Sequence, residues 1–459
     1  MRIYLLSFLL IFSFVFSKKI SFKQGLTNSL KEEKPTPHPF EVYTQNFNKI
    51  YEPEEYETRK EIYMKNRKKI KAHNLYFLNT WKAGENQFTD WTDEEFNAYL
   101  TKFPTPESEF TPLDRSKLQP LTDIPTSFDC SGNMTSAKNQ GSCGASWAFS
   151  AIGITEGAFA IHEDILIDLS QQDAISCDGS DSGCYSGTTY GGLGYLSVSG
   201  ACADHLWPYE ESNGTCGGTQ KTDCESQKYV YLNQINSTDL TSLPENERVD
   251  VLMQIVSTYG PVGGFIDASL LDTYSWGLWN IPWCSSNTSD ANQFVTIVGY
   301  GIEGTTPFWK IKNSWGTDWG EAGYFRFVKG LNVCGIENYA FFAESVMNFG
   351  LTKFNGAVTG LKVVSNSSKS FEISWDPYPG ADKYFVKASL YNGEYLYVWE
   401  TSNTSFSKSI KFRYITATCW VGPIKDSQYG NLGVSITFDS AHTISLSFFA
   451  LLLILFNFF

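Results

Sequence analysis

Excess positive charge is the first thing missing: 35 basic residues stand against 49 acidic ones, a net charge of −14. Nucleic-acid binders carry a basic footprint, so that class is excluded. Cysteine is sparse, ten in 459 residues. That is too few for a disulfide scaffold but enough for pairs that staple an ordinary core. Long apolar runs are confined to the two ends. The first, Ile3 to Val15 after Met1-Arg2, is too short to span a hydrocarbon core of about 30 Å. It reads as a secretory signal over 1–17, cleaved after Ser17. The second, Leu446 to Phe459, has no basic residue behind it, unlike a stop-transfer segment. With small residues Ser440-Ala441 upstream, 440–459 has the outline of a glycolipid-anchor signal, a short tail-anchored helix being the alternative.

What is present fits a folded, exported protein. Aromatics reach 16%, which excludes long disorder, and the length suits two or three domains. All ten cysteines follow the signal, on an oxidising route. Six Asn-x-Ser/Thr sequons, at Asn133, Asn213, Asn236, Asn287, Asn366 and Asn403, predict a glycoprotein. The route ends outside the cell or at its surface through a lipid, with lysosome or vacuole as the other destination.

Within 41–100, Glu55, Arg59, Tyr63, Asn66, Ile70 and Asn74 share one helix face by their spacing. The segment Gly84-Glu85-Asn86-Gln87-Phe88-Thr89-Asp90 alternates as an edge strand would. The six helix positions resemble the E-R-F-N-I-N signature of papain-family propeptides, with Tyr63 for Phe. Gly84, Asn86, Phe88 and Asp90 match that family's G-x-N-x-F-x-D motif. The resemblance implies a small helical inhibitory domain whose tail runs backwards through the active-site cleft. A Pro/Thr/Ser-bearing linker fills 101–122.

Residues 123–346 extend the likeness. Cys143-Gly144-Ala145-Ser146-Trp147 sits where the family has its nucleophile motif, after Asn139-Gln140-Gly141. Gly183-Cys184, Pro208-Tyr209, Val298-Gly299-Tyr300-Gly301 and Lys312-Asn313-Ser314-Trp315-Gly316 follow in order. A papain-like α+β fold is implied, a helical lobe and a β-barrel-like lobe with a cleft between them. The likeness also implies disulfides Cys143–Cys184, Cys177–Cys216 and Cys284–Cys334. Cys202–Cys224 is a further candidate pair, and Cys130 and Cys419 have no assigned partner. Residues 351–438 alternate in short runs (Phe371, Ile373, Trp375; Tyr384, Val386, Ala388) with an Asn392-Gly393 turn signal. They resemble an all-β fibronectin type III sandwich.

A papain-type peptidase pairs a thiolate with an imidazolium. Here the resemblance assigns Gln140 to the oxyanion position and Asn313 to the residue that orients the base. The nucleophile position holds Ser146, with Cys143 as a half-cystine. Eight residues before Gly301, the base position holds Gln293, between Asn292 and the run Phe294 to Val298. A serine hydroxyl is barely ionised at neutrality, and an amide does not take its proton. His162 and His205, the histidines within 123–346, have flanks that place them on the helical lobe away from the cleft. The expectation is therefore a family member that binds a peptide or protein ligand, and its own propeptide, without proteolysis. Gly187 lies where the family pairs with substrate backbone. The rivals are a serine-type endopeptidase using Ser146 and a structural or adhesive protein acting through its C-terminal domain. No cofactor or metal is implied, and membrane contact only through a lipid anchor.

Overall fold

The structure, a computed structural model, describes residues 39–76, 78–100, 115–118, 121–352, 354–367, 369–390, 395–410, 416–432 and 435–439. The N-terminal signal, most of the linker, the Asn392-Gly393 turn and the 440–459 tail lie outside the described residues. Helix α1 (Pro39–Asn46) falls in one compact unit, and residues 50–459 form a second.

Helix α2 (Pro53–Leu75) starts on Pro53, with Glu54 and Glu55 in its first turn, both favourable at a helix N-terminus. Its predicted face is the one used. Tyr63, Asn66 and Ile70 are buried. Arg59 reaches Asp90 O and Glu95, Asn66 Nδ2 donates to Thr89 O and Trp91 O, and Asn74 exchanges two bonds with Ala83. The expected edge strand at 84–90 does not form. The strand is β1 (Trp81–Ala83), paired antiparallel with β5 (Tyr274–Trp279). Past Ala83 the side chains of Asn86 and Thr89 take local backbone N–H groups: Phe88 N donates to Asn86 Oδ1, and Asn86 N to Thr89 Oγ1. These bonds turn the chain away from the ladder. A capping box on Thr92 and Glu95 then opens α3 (Asp93–Tyr99).

The next domain starts with β2 (Phe128–Asp129) and α4 (Ser146–Glu163), followed by α5 (Gln171–Cys177), α6 (Thr189–Ser199) and α7 (Gly218–Glu225). Strands β3 (Val230–Asp239) and β4 (Val262–Ile266) flank α8 (Glu245–Tyr259). After β5 come β6 (Gln293–Glu303), β7 (Thr306–Lys312), β8 (Tyr324–Val328) and β9 (Tyr339–Asn348). The sheet runs β1-β5-β8-β7-β6-β4-β9-β3, with β2 on β6. Every residue of α4 from Ser146 to Ala160 is buried, so one lobe is built around this helix and the other around the sheet. Disulfides join Cys143–Cys184, Cys177–Cys216, Cys202–Cys224 and Cys284–Cys334. Cys130 and Cys419 are buried free thiols, and burial pushes the Cys419 thiol up to about 12. Among the sequons, Asn133, Asn287 and Asn403 are exposed. Asn236 is buried in β3, and its Nδ2 donates to Glu344 Oε1.

The C-terminal segment forms two sheets. Strands β10 (Lys362–Asn366), β11 (Ser370–Ser374) and β14 (Ser405–Ser409) make one. The other holds β12 (Lys383–Leu390), β13 (Tyr395–Thr401), β15 (Thr416–Lys425), β16 (Gln428–Tyr429) and β17 (Ile436–Asp439). Phe371, Ile373, Trp375, Val386 and Val421 share the core between them. The tight β15–β16 turn, with Asp426 and Ser427 both at positive φ, presses on the helical lobe. Ser427 O accepts from Asp168 N, Ser427 Oγ accepts from His205 N, and Tyr429 N donates to Leu166 O.

The N-terminal helical segment docks on the sheet lobe. Asn86 Nδ2 donates to Asp272 O, Gln87 Nε2 to Trp315 O, and Phe88 and Phe96 meet Trp315 edge-on. Beside this contact, burial above all, with Asp93 adding to it, pushes the Asp272 carboxyl up to about 6 against the pull of Lys69. A raised carboxyl favours the folded state below the unfolded pKa and loses that favour as pH rises through about 6. Asp272→Asn is therefore expected to raise the melting temperature of the full chain at pH 7.5 and to leave it unchanged near pH 4. Thermal scans of both proteins at the two pH values check this.

Candidate active site

The N-terminus of α4 meets the start of β6. Ser146, the first residue of the helix, accepts the N–H of Phe294 on its Oγ at 3.1 Å. Gln293, one residue earlier on β6, points its amide into a cluster. Its Nε2 donates to Asn313 Oδ1 at 3.0 Å and lies 3.1 Å from both Gln140 Oε1 and Ser314 Oγ. Ser314 Oγ in turn donates to Gln140 Oε1 at 2.6 Å, and Gln140 Nε2 donates to Cys143 O. Gln140, Ser146, Gln293, Asn313 and Ser314 are each at most 4% exposed. The fold thus brings all four predicted site residues to one place and adds Ser314 as a partner of Gln140, Gln293 and Asn313. Reading by motif passed over Ser314, although it sits directly after Asn313 in sequence.

Local packing fixes this set. Gln140 N donates to Ser314 O, and Asn139 bridges to Trp315, so the loop before α4 is tied to the strand end after β7. Cys143–Cys184 holds the same loop from the other side, and Trp147 Nε1 donates to Gly183 O. At Gly187 a Cβ would lie 2.5 Å from the Trp147 indole, so only glycine fits the close approach. Tyr209 OH donates to Gln140 O, and the Glu211 carboxylate accepts from Ser142 N. Neither had a sequence signal beyond its place near Pro208-Tyr209. Phe294 stacks on Phe265, ring centroids 4.3 Å apart, with Phe341 edge-on to it. These rings make an apolar wall beside Ser146.

Charge is absent from the cluster and concentrated behind it. Lys312, the neighbour of Asn313 on β7, sends its Nζ to Thr135 Oγ1, which donates to Glu156. Burial lowers the Lys312 pKa, and Glu156 partly restores it. Burial also works against the Lys138 ammonium, but Asp168, Asp204 and Glu156 outweigh it and its pKa rises. Neither histidine is near. His162 follows Ser146 by sixteen positions on α4, about 24 Å along the axis. His205 lies against Ser427 Oγ. Among the described residues, no imidazole or carboxylate is bonded to Ser146 or Gln293.

The hydrogen bonds to Gln293 are partly redundant. Asn313 Oδ1 also accepts from Ser314 N, and Gln140 Oε1 from Ser314 Oγ. Gln293→Leu should therefore destabilise by only about 1–2 kcal/mol. Urea unfolding of the two proteins, with an unchanged m-value, is the measurement.

Comparison with known proteins agrees with this architecture. Residues 124–344 match the papain family cysteine protease domain, and residues 40–96 the cathepsin propeptide inhibitor domain. The viral cathepsin of Epiphyas postvittana nucleopolyhedrovirus is 35% identical over 317 residues, covering 66% of this chain and 90% of that protein. Cysteine proteinase 1 of Dictyostelium discoideum is 34% identical, covering 65% and 90%. The solved structure of digestive procathepsin L 3 from Tenebrio molitor larval midgut is similar, at a TM-score of 0.59 and 34% identity, covering 69% of this chain and 99% of that one. A recombinant stem bromelain precursor follows at 0.57 and 29%, covering 67% and 97%. With the 50–100 part of its I29-type propeptide docked on the peptidase domain, the chain belongs to the papain family of cysteine peptidases.

Proposed function

We propose that this family member is a pseudopeptidase, which binds a peptide or protein in the papain-type cleft without cleaving it. The observation that carries the reading is the neutral amide cluster. On the family's pattern Ser146 stands at the nucleophile position and Gln293 at the base position. Gln293 spends its amide on Asn313, Gln140 and Ser314 rather than on Ser146. A hydroxyl without a base is a poor nucleophile, and loss of a triad's nucleophile or base costs on the order of 10⁶ in kcat. The serine-type rival needs a base at Ser146. Lys312, the one nearby lysine with a pKa lowered by burial, is committed to Thr135. We further read 1–17 and 440–459 as export and lipid-anchor signals, and 351–438 as a fibronectin type III-like domain that carries the peptidase domain at the surface.

A fluorogenic peptide library should show saturable binding with no turnover by the propeptide-free protein. Turnover by the unmodified protein would overturn the reading, and absence of both would favour the adhesive rival.

Restoration is the sharper measurement. Asn313 Oδ1, which now accepts from Gln293, would accept from an imidazole N–H at 293, and Ser146→Cys would supply a thiol that such an imidazole activates. The double substitution Ser146→Cys with Gln293→His is expected to produce measurable peptidase activity while each single substitution stays inert, because the two act as a unit. Initial rates of the folded, propeptide-free variants decide it.

A further inference from the structure

Away from this site, the β12–β13–β15–β16 sheet has two differently used faces. Along β12, Tyr384, Val386, Ala388 and Leu390 enter the core between the two C-terminal sheets. The intervening residues point the other way, as strand geometry requires. Of these, Phe385 joins Val398, Ile424 and Tyr429 in an apolar patch against Leu166, from the loop after α4. This contact is incomplete. A crevice of about 200 Å³ remains between the sheet and the peptidase domain, with Leu166, Phe385, Val398 and Tyr429 among its lining.

Lys387 also lines the crevice and is half-buried. Among the described residues it makes no hydrogen bond or ion pair. Burial lowers the pKa of its ammonium, an effect Asp129 offsets and Lys310 reinforces. Asp129 makes no ion pair with Lys387: its Oδ2 accepts from Lys310 Nζ at 2.7 Å and its Oδ1 from Ser131 N. The crevice lies at a domain boundary, is polar on one side (Asn133, Asp164, Asn431) and apolar on the other (Leu166, Phe385, Val398, Tyr429), and holds one cation lacking a direct partner, so it can take a small amphipathic ligand. Asp164 on the lining and Asp129 close by would repel a dianion, so a single negative charge is the match for a single lysine.

We propose that the crevice between the C-terminal sheet and the helical lobe binds a monocarboxylate with a short apolar chain, its carboxylate on Lys387 and its chain along Leu166, Phe385, Val398 and Tyr429. The site is independent of the cleft and of whether the protein cleaves peptides.

Calorimetry on the intact chain carrying Asn133→Gln, which removes the sequon on the lining without adding charge, tests this with octanoate, 1-octanol and octylammonium. Octanoate should bind one site and exceed the other two by about tenfold or more. Lys387→Met should bring octanoate down to the octanol level, whereas Lys387→Arg should retain it. Val398→Trp, which fills the crevice, should abolish binding, each variant being checked for an unchanged unfolding midpoint. Equal binding of octanoate and octanol by the unmodified protein would overturn the proposal. So would octanoate binding that survives both Lys387→Met and Val398→Trp, or no saturation by octanoate up to about 5 mM.

Discussion

The peptidase domain is organised by a helix that meets almost no solvent. From Ser146 to Ala160, α4 is wholly buried, so each polar group it carries must find a partner inside the protein. Ser150 Oγ donates to Val295 O, Thr155 Oγ1 to Ala151 O, and Glu156 accepts from Thr135 Oγ1 and Leu169 N. Several of these partners lie on other elements, which sets the helix in rotation and depth against β6. That setting leaves Ser146 beside Phe294 and Gln293. The placement of the candidate site is thus a by-product of satisfying a buried helix, and it persists whatever chemistry its residues can perform.

Neutral side chains, not charges, hold that junction together, and this sets its energetics. Two charges at a buried site carry a large desolvation cost that their attraction offsets only in good geometry. Gln293, Gln140, Asn313 and Ser314 are neutral and already bonded to one another. The cluster can hold the loop before α4 against the end of β7 without the penalty of charge. A network of this kind serves rigidity as well as it serves catalysis, although it leaves the buried Asn313 Nδ2 without a partner among the described residues. Charge is found one layer deeper, where Asp168, Asp204 and Glu156 surround Lys138 and Thr135 links Lys312 to Glu156.

Much of this was legible in the sequence because it rests on spacing. The α2 face could be read from its intervals, and the family motifs located Gln140, Ser146, Gln293 and Asn313 before any coordinates. Failures came where short polar side chains overrode a pattern. The alternation of 84–90 suggested a strand, but Asn86 and Thr89 satisfied backbone groups locally and ended the ladder at Ala83. A sequon is equally blind to context: Asn236 has the right neighbours, yet its side chain is buried and bonded to Glu344. Ser314 and Glu211 were missed because their roles arise from partners distant in sequence. The contact between the C-terminal sheet and the helical lobe has no sequence signature at all, since either surface alone looks like an ordinary exposed face.

One pairing bears on the life of the protein after processing. Strand β1 caps the sheet at β5, with Trp81 opposite Gly277 across almost two hundred residues of chain. Proteolytic loss of the N-terminal segment would strip that cap and turn β5 into a bare margin of unpaired amides and carbonyls, the kind of template on which foreign strands add. Such a margin favours self-association. Retaining the N-terminal segment keeps that edge paired over Trp81–Ala83, quite apart from anything it does at the cleft.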